Sequence, residues 1–343
     1  MSALPTGNDA ITFNVVFTPG TPARLLPFAL SLLQGKGVRI RLVANGCGPD
    51  EIDLLRAAAQ AHERISPHVL PSSHPVEHGL ALNRLFEAFP SEPYFAFADS
   101  DVIASGDFMG GLWPMAPGQA AVSAAAPVWA TDADAVVPPR WPVLSGRLRV
   151  LPDGTPAGTT YLAIYERAAT EPLWRRAPKG FGVHHRHRIP RGLREQLAAR
   201  GWNYRILDTC RLVNLQLLLA GFTLEDREIP ELHHVGGFSG ADFMGLRALL
   251  RSLPWALRSK DDRRLGRIVD YVGFRLYLHR RQRDPRFRRM NERRSAVGAH
   301  VLSVLDAILA GKPPPPTPRT DSAEVDRRLA ALIAALETHY RPL

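Results

Sequence analysis

The chain has 343 residues, of which 45% are hydrophobic and 22% are charged, a composition typical of an ordinary globular protein. This length accommodates one large domain with an appendage and a substantial buried core. The two cysteines, Cys47 and Cys210, form no C-x-x-C motif, which excludes a disulfide framework and favours a reducing compartment.

The first residues show no basic segment followed by an apolar run, and no apolar stretch is long enough to cross a bilayer. We therefore expect neither a signal peptide nor a membrane-spanning helix. The predicted location is the cytoplasm.

Strand and helix patterns alternate over the first hundred residues. The apolar, β-branched strand Ile11–Phe17 is followed by a break at residues 18–20 and then by a leucine-rich helix. That helix is expected to begin near Arg24, because proline is tolerated in a first turn but not in a helix interior, and Pro27 follows closely.

The second strand, Val38–Ala44, ends at Asn45-Gly46, and Asp50 is expected to cap the next helix. A third, short strand falls within residues 66–70, before an amphipathic helix over residues 82–89.

The run Tyr94–Ala98 is continuously apolar, as in a parallel strand covered on both faces. Alternation of strands and helices predicts right-handed βαβ units, and therefore an α/β fold with a mainly parallel central sheet. In such sheets ligands bind beyond the carboxyl ends of the strands. The strand ends concerned are Thr18-Pro19, Ala44-Asn45 and Asp99-Ser100-Asp101.

Two carboxylates, Asp99 and Asp101, stand one residue apart directly after this apolar strand. Mg²⁺ and Mn²⁺ take hard oxygen ligands and combine one or two protein carboxylates with substrate phosphates. The position at a strand end in a βαβ series therefore predicts a metal and nucleotide site. A helix cap or a turn is the alternative, because Asp is common at both.

A second candidate is the segment His233-His234-Val235-Gly236-Gly237. Imidazole is a common metal ligand, and glycines let a backbone approach a phosphate closely. Neighbouring side chains of an extended segment point to opposite faces, so only one of the two histidines can enter a site. A surface histidine pair before a turn is an alternative of equal weight.

The order of these features resembles that of the GT-A glycosyltransferases, especially the family 2-like group. The likeness rests on the strand ends Thr-Pro and Asn-Gly, the sequence YFAFADSDV, and the distal His-Val-Gly-Gly, and it covers approximately residues 11–240. It implies a Rossmann-like GT-A fold, followed here by a helical C-terminal extension. The implied activity is the metal-assisted, inverting transfer of a hexose from a nucleotide-diphosphate sugar.

Residue by residue, the resemblance implies that Asp101 is the direct ligand of Mn²⁺ or Mg²⁺. Asp99 then contacts the ribose or the metal shell, and His234 completes the coordination. The residues expected to contact the nucleotide are Thr18, Pro19, Asn45, Asn83, Asp99 and Ser100.

One position departs from the family pattern. Family 2-like enzymes usually carry an Asp near the end of the second strand, in a pattern like V-D-N-G-S, but this chain has Ala44 at that place. Asn45 or Asp50 could instead recognise the base of the nucleotide. We expect a UDP-sugar ahead of a GDP-sugar as donor, and a glycan, a lipid-linked molecule or a small molecule as acceptor.

The resemblance also implies a general base before a helix, and Asp208 occupies the comparable position. The alternative is that Asp208 only caps the helix that starts near Cys210. Glu225, Asp226 and Glu228 are rival carboxylates.

A basic loop contains His184, His185 and His187 together with Arg186 and Arg188. A solvated loop is the favoured interpretation, because charged runs are usually solvated. Contact with an acceptor or a phosphate is the alternative.

Two other functions compete with sugar transfer. A nucleotidyltransferase also uses a parallel sheet, a metal and carboxylates, but residues 18–24 match its glycine-rich basic loop poorly. The second is a binding protein that has the fold but no catalytic activity, because the general base is unproven and Ala44 departs from the family pattern.

Four parts are predicted along the chain: a catalytic domain, a basic helical extension, a Pro-rich linker and an amphipathic helix. These parts are residues 1–245 (with a nucleotide-binding half at about 8–105 and an acceptor half at about 106–245), 246–311, 312–320 and 321–343.

The net charge of +10 is concentrated in residues 247–294, which carry 16 Lys and Arg against 5 Asp and Glu. We expect this segment to dock on the catalytic domain through an apolar stripe over residues 265–276. Peripheral contact with the anionic inner face of the membrane is the second interpretation, and a polyanionic acceptor is the third. Nucleic acid is not expected, because the pI near 10.2 permits it but no binding motif is present.

Overall fold

The computed structural model of the protein describes residues 10–138, 141–237 and 284–340. Its strands are β1 (Ile11–Phe17), β2 (Val38–Ala44), β3 (Ile65–Val69), β4 (Tyr94–Ala98), β5 (Val102–Ala104), β6 (Gln119–Ala124), β7 (Val143–Leu144), β8 (Leu162–Glu166), β9 (His184–His185), β10 (Ile206–Leu207), β11 (Thr223–Asp226) and β12 (Leu232–His234). Its α-helices are α1 (Pro22–Ser31), α2 (Pro49–Gln60), α3 (His78–Ala88), α4 (Met109–Leu112), α5 (Asp132–Ala135), α6 (Arg167–Arg176), α7 (Arg191–Ala199), α8 (Arg211–Leu219), α9 (Pro285–Leu309) and α10 (Ala323–His339).

A seven-stranded sheet forms the centre, in the order β11-β6-β8-β4-β1-β2-β3. The strands β4, β1, β2 and β3 run parallel and alternate along the chain with helices, while β8 is antiparallel to both β4 and β6. Strands β1, β2 and β4 are mostly buried, as in strands covered on both faces, and Arg39 of β2 is exposed. The predicted α/β fold with a mainly parallel sheet is confirmed, and these three strands have the predicted bounds.

The starts of the first two helices differ from the prediction. Helix α1 begins at Pro22, two residues earlier than expected, so that Pro27 lies inside the helix. Proline suits a first helical position because no N–H donor is needed there, and buried leucines hold the helix against the sheet. Helix α2 has Gly48 as its N-cap rather than Asp50, and the carboxylate of Glu51 accepts the Gly48 N–H.

Two small sheets lie beside the carboxyl ends of the central strands. In the first, β12 pairs antiparallel with β5, so that His234 faces Val102. In the second, β10 lies between β7, which is parallel to it, and β9, which is antiparallel. The first sheet starts directly after Asp101, and the second ends directly before Asp208.

The C-terminal helices pack on the sheet domain. Buried side chains of α9 and α10 belong to the same apolar cluster as those of β1 and β2. Helix α10 contacts both β5 and β12. The start of α9 carries the last part of the basic segment, whereas the apolar stripe at residues 265–276 lies outside the described residues. The division of the chain at residues 245, 311 and 320 stays a prediction. Among the described helices, none is long and apolar enough to span a bilayer.

Candidate functional site

Three side chains converge at the carboxyl end of β4. Asp99, Asp101 and His234 each offer a ligand atom, and these atoms lie within 4.8 Å of one another. The backbone causes this convergence, because Asp99 and Asp101 occupy the turn between β4 and β5, and β12 pairs His234 with the first residue of β5. The Val235 N–H also donates to the carbonyl oxygen of Asp101 at 3.1 Å.

A single hydrogen bond orients the His234 ring. Nδ1 lies 3.0 Å from the carbonyl oxygen of Ala125, which can only accept, so that Nδ1 carries the proton. Nε2 then faces the carboxylates, at 3.2 Å from Asp101 Oδ1 and 3.8 Å from Asp99 Oδ2. Metal-binding histidines are commonly held in this way, with the second ring nitrogen bonded to a carbonyl or carboxylate.

The backbone at Ala125 is strained to support this contact. Its φ is +66°, a left-handed conformation that side chains with a Cβ rarely adopt. Such conformations persist where the surrounding structure determines them, and they cluster at functional sites. Here the strained residue supplies the carbonyl group that selects the tautomer of His234.

The electrostatics of the group favour a cation. Burial is the largest cause of the raised pKa of Asp99, and the carboxylates of Asp101 and Asp208 raise it further, whereas His234 opposes them. At His234 burial lowers the pKa, but the two neighbouring carboxylates outweigh it and the pKa is raised. Acidic groups held together in a buried site are stabilised when a positive charge joins them.

The donor set fits a divalent metal ion. Two carboxylates and one imidazole have ligand atoms close enough to share one ion. The carboxylates match the hard-oxygen preference of Mg²⁺ and Mn²⁺, and the imidazole is more usual for the transition metals. Asp99 Oδ1 is buried and accepts no hydrogen bond within the described residues. Buried carboxylate oxygens normally have partners, and a bound ion would supply one. Asp99, Asp101 and His234 could therefore hold a metal.

Only one histidine of the pair lies beside the carboxylates, and that histidine is His234. His233 points away from the carboxylates, and its Nε2 lies 3.0 Å from Ser105 Oγ. Gly236, two residues after His234, has no room for a side chain. Its φ is +78°, and a Cβ there would lie 2.7 Å from Trp129 Nε1, whose N–H donates to the Gly236 carbonyl.

The two predicted asparagines use their amides inside the protein. Asn45 is fully buried, and its side chain donates to the carbonyl and accepts the N–H of Val76. Asn83 donates to the Lys179 carbonyl and accepts from the indole of Trp174 and the N–H of Phe181. Both residues brace loops at the carboxyl edge of the sheet. Their contact with a nucleotide stays a prediction.

The remaining predicted nucleotide contacts lie at the ends of β1 and β4. Thr18 is partly buried and Pro19 is exposed, while Ser100, which stands between Asp99 and Asp101 in the sequence, is buried. The hydroxyl oxygens of Thr18 and Ser100 are buried and have no hydrogen-bond partner within the described residues.

Asp208 does not cap helix α8. The N-cap is Cys210, with a φ of +64° and no side-chain cap, so the capping alternative is wrong. Asp208 instead accepts the N–H of Gly146 through Oδ2 and that of Thr209 through Oδ1. Its charge raises the pKa of Asp99, which places it in the electrostatic surroundings of the metal-binding group.

The rival carboxylates are engaged elsewhere. Asp226 accepts from Ser123, Thr159 and Arg149. Glu225 pairs with Arg227, and Glu228 pairs with Arg328 from helix α10. Of these four carboxylates, only Asp208 contributes to the raised pKa of Asp99.

Sequence reasoning missed two side chains of the site. His78, the first residue of α3, has Nδ1 at 3.7 Å from Asp99 Oδ1, and burial lowers its pKa to about 4. Tyr161 lies across from Asp99, accepts its N–H at 2.6 Å, and packs against His234 with ring centres 4.4 Å apart. The strand-end rule could have found His78, because α3 follows β3. Tyr161 could not be found, because the antiparallel pairing of β8 was not predicted.

No protein-family model matches the sequence, and no curated protein matches it significantly. Solved structures similar to the chain include the mannosyltransferase PcManGT from Pyrobaculum calidifontis in complex with GDP-Man and Mn²⁺, at 12% identity and a TM-score of 0.38, over 87% of this chain and 90% of that one. An active-site mutant of LgtC matches at 11% identity and a TM-score of 0.40, over 63% of this chain and 72% of that one. A Bacillus anthracis protein assigned as a glucose-1-phosphate thymidylyltransferase matches at 12% identity and a TM-score of 0.37, over 75% of this chain and 99% of that one. Similarity at this level carries no conclusion about the activity.

Proposed function

We propose that the protein is a metal-dependent glycosyltransferase that moves a sugar from a nucleotide-diphosphate sugar to an acceptor hydroxyl. The observation that carries this proposal is the convergence of Asp99, Asp101 and His234, with Nε2 of His234 on the side of the carboxylates. The group lies at the carboxyl end of a parallel strand, where α/β sheets bind their ligands.

Asp99, Asp101 and His234 would hold Mn²⁺ or Mg²⁺ against the diphosphate of the donor. When bound, the metal would act as a Lewis acid that offsets the negative charge growing on the leaving diphosphate. Thr18, Pro19 and Ser100 would contact the nucleotide at the ends of β1 and β4. Asn45 and Asn83 would shape the edge of that pocket through the loops that they brace.

Asp208 would act as the general base. The acceptor oxygen forms a bond to the anomeric carbon, the bond from that carbon to the diphosphate oxygen breaks, and the acceptor proton passes to the Asp208 carboxylate. The nucleoside diphosphate leaves with the electron pair of the broken bond. One displacement inverts the anomeric configuration, and the N–H groups of Gly146 and Thr209 would hold the carboxylate in place.

Calorimetric titration of UDP and GDP, with and without Mn²⁺, tests the donor site. We expect tight binding of one nucleotide, UDP ahead of GDP, that requires both Mn²⁺ and Asp101, and therefore fails in Asp101→Asn. Asp53→Asn, an exposed carboxylate on α2, is the matched control and should bind as the wild type does. Binding that ignores the metal and Asp101 would refute the proposed donor site.

The product of turnover separates the competing functions. Release of a nucleoside diphosphate from a nucleotide sugar supports glycosyl transfer, whereas release of inorganic pyrophosphate from a nucleoside triphosphate would indicate a nucleotidyltransferase. Donor binding without either product would indicate a binding protein.

A further inference from the structure

One aromatic side chain spans the distance between the metal-binding group and the loop that holds the candidate base. The ring of Tyr161 packs against that of His234 with ring centres 4.4 Å apart. A Cβ at Gly146 would lie 3.1 Å from both Cε1 and Cζ of Tyr161, so the ring also rests on the bare backbone there. Gly146 is the residue whose N–H donates to the Asp208 carboxylate at 3.1 Å. Tyr161 therefore contacts a candidate metal ligand on one side and the support of the candidate base on the other.

The backbone is fixed at both ends of this contact. The Tyr161 carbonyl accepts the N–H of Asp99 at 2.6 Å, which ties the residue to the end of β4. The buried guanidinium of Arg211 donates to the carbonyl oxygens of Gly146 and Gly158, so that the base loop and the chain leading to Tyr161 share one anchor. The ring and the base loop are thus held in a defined position relative to each other.

The hydroxyl is the part of the Tyr161 side chain that the protein does not use. Tyr161 is partly exposed, and among the residues that the structure describes its hydroxyl makes no hydrogen bond. Burial is the largest cause of its raised pKa, and the carboxylates of Asp208 and Asp99 raise it further, so that both charges reach the phenol. A phenol is protonated near neutral pH and can donate one hydrogen bond. A ligand lying between the two carboxylates would meet this donor.

The proposed reaction determines which part of the substrate lies beside Tyr161. In a single displacement the anomeric carbon stands between the departing diphosphate oxygen and the acceptor oxygen. The diphosphate would be held at Asp99, Asp101 and His234, and the acceptor oxygen at Asp208. The charge of Asp208 raises the pKa of Asp99, so the two ends of this arrangement lie within reach of each other's charge. The transferred sugar would therefore occupy the space that the ring of Tyr161 borders.

We propose that Tyr161 is a specificity-determining residue for the donor, and that its hydroxyl donates a hydrogen bond to a hydroxyl oxygen of the transferred sugar. This inference rests on the proposed transfer reaction, because the metal site and the base define where the sugar lies. The ligand class is a hexose carried on a nucleoside diphosphate. A sugar with the opposite configuration at the contacted carbon would leave the phenol without a partner, and sites that hydrogen-bond a substrate hydroxyl discriminate strongly against such analogues.

Removal of this single hydroxyl in Tyr161→Phe tests the contact. Calorimetry in the presence of Mn²⁺ measures the affinities for UDP, GDP, UDP-glucose, UDP-galactose and GDP-mannose, and each nucleotide sugar is compared with its own diphosphate. We expect the wild type to favour one of the three sugars in this comparison. Tyr161→Phe should lose about three- to tenfold in affinity for that nucleotide sugar, as for one hydrogen bond, and stay within about twofold for the diphosphate.

Tyr204→Phe is the matched control. The Tyr204 hydroxyl also has no partner among the described residues, but the carboxylate that acts on it is Asp153, outside the site. This variant should bind every probe as the wild type does. Tyr161→Phe should keep the melting temperature and the Mn²⁺ affinity of the wild type, because it retains the ring that packs against His234.

The nucleoside diphosphates keep the two proposals apart. Absence of Mn²⁺-dependent binding of both UDP and GDP by the wild type would refute the proposed function, and this inference with it. If a diphosphate binds normally but the relative affinities for the nucleotide sugars are the same in the wild type and in Tyr161→Phe, only the role of Tyr161 is wrong. Equal losses in Tyr161→Phe and Tyr204→Phe, or a wild type that does not discriminate among the sugars, would lead to the same conclusion. A lower Mn²⁺ affinity in Tyr161→Phe would also overturn it, because the change would then act through His234.

Discussion

His234 and His233 are neighbours in sequence, yet only His234 lies beside the acidic pair. The alternation of side chains along β12 accounts for this difference, since it turns one imidazole to Asp101 and the other to Ser105. Sequence reasoning could predict that one of the two enters the site, but the identity of the ring nitrogen that faces it depends on the carbonyl of Ala125. That contact spans 109 residues and arises from a strained backbone that no local pattern indicates.

The two histidines provide a matched pair of substitutions. We expect His234→Asn to lower the affinity for Mn²⁺ by at least about tenfold, because it removes a ligand, and loss of even a supporting contact weakens metal binding tenfold to a hundredfold. His233→Asn should leave the affinity within about twofold, which lies below 0.5 kcal/mol. Calorimetric titration of Mn²⁺ alone measures both variants. Equal losses would show that His234 is not a ligand.

At the scale of elements, strands of five to seven mostly apolar residues were predictable, and strands of two residues were not. The bounds of β1, β2 and β4 follow from sequence because each run of five to seven residues ends at a turn signal. By contrast β7, β9 and β10 have two residues each, too few for any periodicity, and they form through contacts distant in sequence. The surroundings of Asp208 therefore emerge only from the fold.

Arg211 holds these short elements together. It is fully buried, and its guanidinium donates to the carbonyl oxygens of Ser145, Gly146, Ala157 and Gly158. Burial lowers its pKa, and the charge of Asp208 is the largest opposing influence. Because the N–H of Gly146 donates to Asp208, the guanidinium also fixes the loop that positions the candidate base.

Substitution of this guanidinium by an ammonium should be costly. Arg211→Lys keeps the charge but cannot reach four carbonyl groups in one plane, and each buried group left without a partner costs about 1–3 kcal/mol. We expect the free energy of unfolding in urea to fall by roughly 2–4 kcal/mol, for one or two lost bonds. Arg175→Lys, in an exposed pair with Glu171, should change it by less than about 0.5 kcal/mol. A difference between the two variants below 1 kcal/mol would contradict this role.

For the whole molecule, the C-terminal helices and the sheet share one apolar core. Leu329, Leu332 and Leu336 of α10 are fully buried in the cluster that contains β1 and β2. Arg328 donates to the carbonyl of Ala130, and Arg293 pairs with Asp134, so that polar contacts also fix the helices to the segment beside β12. The amphipathic pattern predicted α10 correctly, but it could not identify the surface that α10 covers. An apolar stripe shows that one face of a helix is buried, and not which surface it packs against.

A shared core predicts that the helices and the sheet unfold together. Leu332→Ala removes a side chain with no exposed surface, so we expect the free energy of unfolding to fall by about 2–5 kcal/mol. Leu309→Ala, at a position 58% exposed, should change it by less than about 0.5 kcal/mol. Tryptophan fluorescence mainly reports the sheet domain, because five of the six tryptophans lie between residues 113 and 202, whereas far-ultraviolet circular dichroism reports all helices. In Leu332→Ala the two probes should shift to the same lower urea midpoint, since the removed contacts stabilise both parts. If the dichroism midpoint fell while the fluorescence midpoint stayed in place, α10 would be an independent unit, and the packing of α10 on β5 and β12 would not support the metal-binding group.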